Sequence, residues 1–139
     1  MISIRLSGMD KLQAAIKAKD KALTSGVDAE MTATAMDINR QQKRMAPVDK
    51  GLLRSSLKVE TGAYLDKTIV STGPGSSYAP YQEFGTGGLV SIPPGLEDEA
   101  AQFRGKGIRQ INMKAQPFFF PPFFSEKPKF LKRIKDLLK

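Results

Sequence analysis

Hydrophobic positions along the chain change period several times, and each change marks an expected element. Ile2, Ile4 and Leu6 alternate with Ser3, Arg5 and Ser7, the two-residue period of a strand with one buried face. Ser7-Gly8 ends that run, and Asp10 suits the positive first turn of a helix. Leu12, Ile16 and Leu23 then recur at helical spacing beside Ala15 and Ala22, with Lys11, Lys17, Lys19 and Lys21 over the remaining surface. Thr24-Ser25-Gly26 interrupts this amphipathic helix by a break or a kink. Val27, Met31, Ala35, Ile38, Gln42 and Met45 carry on as an inner stripe. Ser25 is placed to cap that second stretch, with Asp28 and Glu30 at its start and Arg40, Lys43 and Arg44 at its end. The two stretches are two helices or one long bent helix. Pro47 stops the pattern, because the residue before a proline disfavours helical backbone.

Leu53, Ser55, Leu57 and Val59 alternate with Arg54, Ser56, Lys58 and Glu60, which predicts a strand with one wet face. Residues 62–66 read as a loop and 67–72 as the returning strand, ended by Gly73-Pro74-Gly75, so a β-hairpin is the simplest account. Regular structure is hard to place over residues 76–115. Leu96, Ala100 and Phe103 fit a two-turn helix, and residues 108–113 fit a strand. Six glycines and Pro93-Pro94 in this stretch predict a long mobile loop, functional or ordered only on assembly. Phe118, Phe119, Phe120, Phe123 and Phe124 follow, threaded with Pro117, Pro121 and Pro122, a run expected to stay extended. Residues 128–139 are helical by pattern, with Phe130, Leu131, Ile134, Leu137 and Leu138 as the apolar stripe. No internal repeat is seen. The expected fold is α+β: a long N-terminal helix packed on a small antiparallel β-sheet and closed by a C-terminal helix.

Length and composition narrow the functional classes. The 139 residues fit one domain, 1–139, large enough to bury its own core. Histidine, cysteine and tryptophan are all absent. Disulfides, Cys/His zinc sites and Ser-His or Cys-His nucleophiles are therefore excluded. No run of apolar residues is long enough for a membrane span, and the N-terminus lacks the pattern of a signal peptide. The chain is accordingly expected to act without a membrane and without general secretory export.

Twenty-two basic residues against 14 acids give +8, which suits either solubility or a polyanion nearby. Half of that charge lies in residues 126–139, where six basic residues face only Glu126 and Asp136. Lys129, Lys132, Arg133 and Lys135 are the candidate DNA-facing residues of this helix, binding without sequence preference.

Catalytic constellations are weak. Gly73-Pro74-Gly75-Ser76-Ser77 lacks the lysine of a phosphate loop, and Val90 stands where a dinucleotide fingerprint after Gly85 needs glycine. Asp49, Glu60, Asp66 and Glu83 are the carboxylates that could serve an enzyme, but no spacing forces them together. No catalytic residue, cofactor site or metal site is assigned. The phenylalanine run is more informative. It either closes the domain's own core or packs against another subunit, since large apolar patches seldom stay exposed on a lone protein.

Three segments in order carry a resemblance. They are residues 46–56 (APVDKGLLRSS), 78–86 (YAPYQEFGT) and 115–121 (AQPFFFP). With a helix before and after, the chain resembles the small tail-component family of long-tailed bacteriophages, described as tail-completion or neck proteins. The resemblance implies a non-enzymatic virion protein assembled in the host cytoplasm as a homo-oligomeric, hexameric ring at the head–tail junction. Implied neighbours are the head-closure or connector, tail-terminator or tail-tube proteins, with double-stranded DNA passing through. It makes Pro47, Asp49, Gly51, Tyr78, Tyr81, Glu83, Phe84 and Gly85 shape-giving motif residues. It makes Phe118, Phe119, Phe120, Phe123 and Phe124 the subunit or partner interface. A free-standing, basic, sequence-independent DNA-binding protein is the alternative.

Overall fold

The computed structural model describes residues 8–64, 67–104 and 112–139, with backbone alone for 63–74. The expected strand at residues 2–7 and most of that at 108–113 lie outside these residues. Asn112 and Met113 are in no regular element.

One helix, α1 (Met9–Met45), runs unbroken for 37 residues, about 55 Å at 1.5 Å per residue. Of the two readings, two helices or one long helix, the second holds: no break occurs at Thr24-Ser25-Gly26. The Thr24 hydroxyl donates to the Asp20 carbonyl one turn back (3.0 Å), so it satisfies itself on the helix instead of breaking it. The helix ends where Pro47 requires, with the Ala46 N–H on the Gln42 carbonyl at 2.8 Å. Ala35, Ile38 and Gln42 of the inner stripe are buried, as are Thr34 and Asn39. Met45, expected in that stripe, is exposed.

Residues 53–56 correct the strand reading. They belong to a short helix, α2 (Leu52–Ser56), entered through Gly51 at φ 76°. Leu53 and Leu57 are both buried, and a spacing of four satisfies a two-residue period and a helical turn alike. The strand β1 starts only at Leu57 and runs to Tyr64, and β2 runs from Lys67 to Pro74. They pair antiparallel from Leu57 opposite Pro74 to Tyr64 opposite Lys67. Pairing thus continues past residue 62, where a loop was expected. Among the described residues this hairpin is the only sheet, so the fold is mostly helical. A two-stranded ribbon is marginal by itself. Here both strands pack against α1.

The described part of the 76–115 stretch holds helical turns, including the two-turn helix expected around Leu96, Ala100 and Phe103. These are α3 (Ala79–Phe84), a 3-10 turn (Gly87–Leu89) and α4 (Glu97–Ala101), which tightens into a second 3-10 turn (Gln102–Arg104). Gly85 (φ 78°) and Gly95 (φ 83°) separate the pieces.

The last helix, α5 (Phe120–Leu137), begins eight residues before the predicted one. Pro121 and Pro122 lie in its first turn, where a missing N–H costs nothing. The phenylalanine–proline run is therefore half helix, and only Phe118 and Phe119 precede it. Ala46, Leu53, Leu57, Ala79 and Phe118 form the buried core, with Phe119 against them. No helix of the described residues is long and apolar enough to cross a membrane.

Candidate functional site

The start of α5 is where the three motif segments meet. Glu83, on α3, is buried and aims its carboxylate at the incoming aromatic run. It accepts the backbone N–H of Phe118 at 2.7 Å, of Phe119 at 2.9 Å and of Phe120 at 3.1 Å. These are donors that a helix start leaves without intrahelical partners. Glu83 therefore caps α5 from another element, with its negative charge on the positive end of the helix dipole. From the opposite side Gln42, fully buried on α1, donates its Nε2 to the Phe119 carbonyl at 3.0 Å. The aromatic run is clamped at its N–H groups by α3 and at one carbonyl by α1.

Gly85 follows directly. A Cβ there would fall 2.6 Å from the Met113 carbonyl oxygen, 2.8 Å from the Ala115 nitrogen and 2.9 Å from the Leu89 carbonyl oxygen. These contacts are all backbone, so no side chain could yield. The close approach lets residues 112–116 run alongside α3 and the turn after it. The Thr86 N–H donates to the Met113 carbonyl and the Gln116 N–H to the Gln82 carbonyl, at 2.9 and 2.8 Å. Side chains repeat the link: the Met113 N–H donates to the Thr86 hydroxyl (2.9 Å) and Gln82 Nε2 to Gln116 Oε1 (2.7 Å).

The rings form a continuous chain. Tyr81 meets Phe103 edge-on at 5.2 Å, and Phe103 stacks on Phe84 at 5.5 Å. Phe84 meets Phe120 at 5.9 Å, and Phe120 stacks on Phe124 at 6.1 Å. Phe84 and Phe118 are buried, while Phe123 and Phe124 stay over two-fifths exposed. Between α3, α4 and the start of α5 this ladder leaves an open groove of about 270 Å³, lined by Phe84, Phe103 and Phe118–Phe120 with Glu99 and Gln102 at its edge. A second groove of about 450 Å³ gathers Pro47, Asp49, Gly51 and Tyr78 with Gln82 and Gln116. Asp49 is exposed there.

The basic helix is only partly free. Antiparallel to α1, α5 is joined to it by charge. Arg133 donates from Nε to Glu30 Oε2 and from its terminal nitrogen to Thr34 Oγ1, both at 2.8 Å. Lys129 donates to the buried Glu126 carboxylate at 2.8 Å, which also accepts from Gln41 of α1 at 2.9 Å. The Lys129 and Gln41 hydrogen bonds hold the Glu126 carboxyl below the usual carboxylate range. Lys132 and Lys135 are exposed. Of the four residues expected to face DNA, two thus have their charge engaged within the chain.

Among the described residues the candidate carboxylates do not converge. Asp49 and Glu60 are exposed, Glu83 is committed to α5, and Asp66 lies outside the described residues. Among the described residues no three Asp, Glu, His or Cys side chains gather into a metal-sized cluster. Sequence reasoning missed the cap made by Glu83 and the clamp made by Gln42. A polar residue on an otherwise apolar stripe was the available signal for Gln42.

A family model described as "Bacteriophage HK97-gp10, putative tail-component" matches residues 9–85. That match spans α1, α2, the hairpin and α3 through Gly85, and so includes both Gln42 and Glu83. No curated protein and no solved structure matches the chain.

Proposed function

We propose, from the premise that this chain belongs to the HK97-gp10-like family of bacteriophage tail components, that it is a structural virion protein of the head–tail junction. In this reading copies form a homo-oligomeric ring around the DNA passage and join the head connector to the tail. The observation that carries it is the use made of Glu83. The best-placed buried carboxylate of the motif segments holds three backbone N–H groups and so fixes the aromatic run at the molecular surface. A carboxylate with three of its about four acceptor sites taken by backbone N–H groups supports shape. The exposed Phe123 and Phe124 that continue the run are then available to a neighbouring virion protein.

Electron microscopy of lysates from a phage with this gene disrupted tests the reading. DNA-filled heads beside finished, separate tails are expected. Tails of abnormal length would move the role to tail termination, and intact infectious particles would overturn a structural role altogether.

A further inference from the structure

Two features of the described residues, far apart along α1, leave apolar surface exposed. The first is the N-terminal arm of α1. Every residue from 9 to 22 is exposed, and Met9, Leu12 and Ile16 make an apolar stripe that is about half open to solvent. The arm projects because α5 covers only the later part of α1. Their contacts run from Gln42 with Phe119, through Gln41 with Glu126 and Thr34 with Arg133, to Gly26 beneath the Leu137 methyls. The 17 residues from 9 to 25 extend beyond that last contact, about 25 Å of helix.

The second feature is the aromatic groove at the Phe118–Phe120 end. Its 270 Å³ falls below the roughly 300–1,000 Å³ usual for small-molecule sites, and the ring faces offer few polar anchors for a metabolite. Aliphatic knobs from a helix fit such a lining better. Glu97, Asp98 and Glu99, the one run of three consecutive acids in the chain, lie on the adjacent α4 and are exposed. The Gly95 N–H bonds the Glu97 carboxylate at 3.0 Å and favours its charged form. The arm carries Lys11, Lys17, Lys19 and Lys21 against only Asp10 and Asp20, with Lys19 on the stripe's side three residues past Ile16. An apolar stripe on a net-basic arm thus complements an apolar groove with an acidic border, on a chain whose net charge is +8.

Neither end can serve the other within one molecule. Ile16 and Gln42 are 26 residues apart on one unbroken helix, about 39 Å, and Gln42 adjoins the groove. We propose that the α1 arm of one copy seats Leu12 and Ile16 in the aromatic groove of a second copy of this chain, with arm lysines against Glu97–Glu99. Such a contact is heterologous: each copy gives an arm and receives one, so copies close into a ring or extend as a filament. The inference rests on the oligomeric part of the proposed function and supplies its subunit joint.

The chain has no cysteine, so introduced thiols report unambiguously. The variants Ile16→Cys and Gln102→Cys, both at exposed positions, are mixed at high concentration and oxidised. A disulfide forms only when the Cα atoms come within about 7 Å. Heterodimer yield is expected to exceed that of a control pair, Ile16→Cys with Lys58→Cys, by about tenfold. The double variant Ile16→Cys/Gln102→Cys is expected to give a ladder of higher oligomers. Adding Leu12→Asp is expected to return the yield to the control level with unchanged circular dichroism. Yields equal to the control pair, or a yield indifferent to Leu12→Asp, overturn the contact. This measurement reads the purified chain and the gene disruption reads particles, so either proposal can fail alone.

Discussion

Glu83 and Gly85 are two residues apart and fail in different ways when changed. Replacing Glu83 with alanine strands three N–H donors at a helix start that Phe118, itself buried, keeps from water. Losing bonds to a charged acceptor costs about 1.5–3 kcal/mol, and the stranded donors add to it. Glu83→Ala is therefore expected to lower unfolding free energy by about 3 kcal/mol, read as a shift of the urea midpoint at constant slope. Glu83→Gln keeps one acceptor oxygen, so its loss should be smaller. Equal midpoints for all three chains would show that the cap contributes nothing. Gly85→Ala acts through the backbone instead. It combines a left-handed φ of 78° with a Cβ 2.6 Å from a carbonyl oxygen, and no neighbouring side chain can move aside. A loss of more than about 2 kcal/mol is expected, together with chemical-shift or protection changes centred on residues 112–116. A midpoint change under about 0.5 kcal/mol would mean that the segment detaches at little cost.

At the level of elements the seam between α1 and α5 carries charge that responds to pH. Glu126 has its carboxyl depressed by Lys129 and Gln41, so in the folded chain it holds its proton less readily than when unfolded. Its stabilisation is therefore present above the unfolded pKa and is lost as pH falls through the folded one. The stability difference between the parent chain and Glu126→Gln should be largest at neutral pH and shrink as the solution is acidified below the ordinary glutamate range. A difference constant over that range would assign it to packing instead. In the same helix, Pro128 removes the N–H that would bond the Phe124 carbonyl. Pro128→Ala is expected to raise stability by about 2 kcal/mol, the helix-interior penalty less the entropy returned to the unfolded chain. A lower melting temperature would mean that the proline fits a local bend. The elements also show where sequence periodicity succeeds. The α1 stripe at Ala35, Ile38 and Gln42 was legible because that face is buried, and the first hairpin strand because Leu57 is buried while Lys58 and Glu60 are exposed. The α2 turn was not, because Leu53 and Leu57 fit both periods and only the left-handed Gly51 decides between them. The early start of α5 was hidden for another reason: its prolines look like breakers until Glu83, 37 residues upstream of Phe120, supplies the cap. Contacts of that range leave no periodic trace.

For the whole molecule, the distribution of its +8 charge matters more than the sum. A count of basic residues on α5 predicts a strong polyanion surface. In the structure two of the four named residues have partners within the chain: Arg133 is bonded to Glu30 and Thr34 of α1, and Lys129, still largely exposed, to the buried Glu126. Lys132 and Lys135 remain exposed. Neutralising two phosphates gives a slope of log K against log salt of about −2 on duplex DNA, against about −4 for four. The lone chain is thus expected to bind duplex DNA weakly, with the shallow slope, and Lys132→Glu/Lys135→Glu should abolish the dependence. A slope near −4 would mean that Lys129 and Arg133 leave their carboxylates for phosphate, loosening the α1–α5 seam as DNA binds. That outcome would favour a free-standing DNA-binding protein over a joining subunit. A shallow slope for one copy does not preclude a strong field in an assembly, because identical weak patches arranged around a common passage add at the axis. The quantity to compare is therefore the slope of the lone chain against that of the oligomer trapped through Ile16→Cys/Gln102→Cys: a steeper slope only after trapping places Lys132 and Lys135 on the inner surface, and equal slopes place them outside.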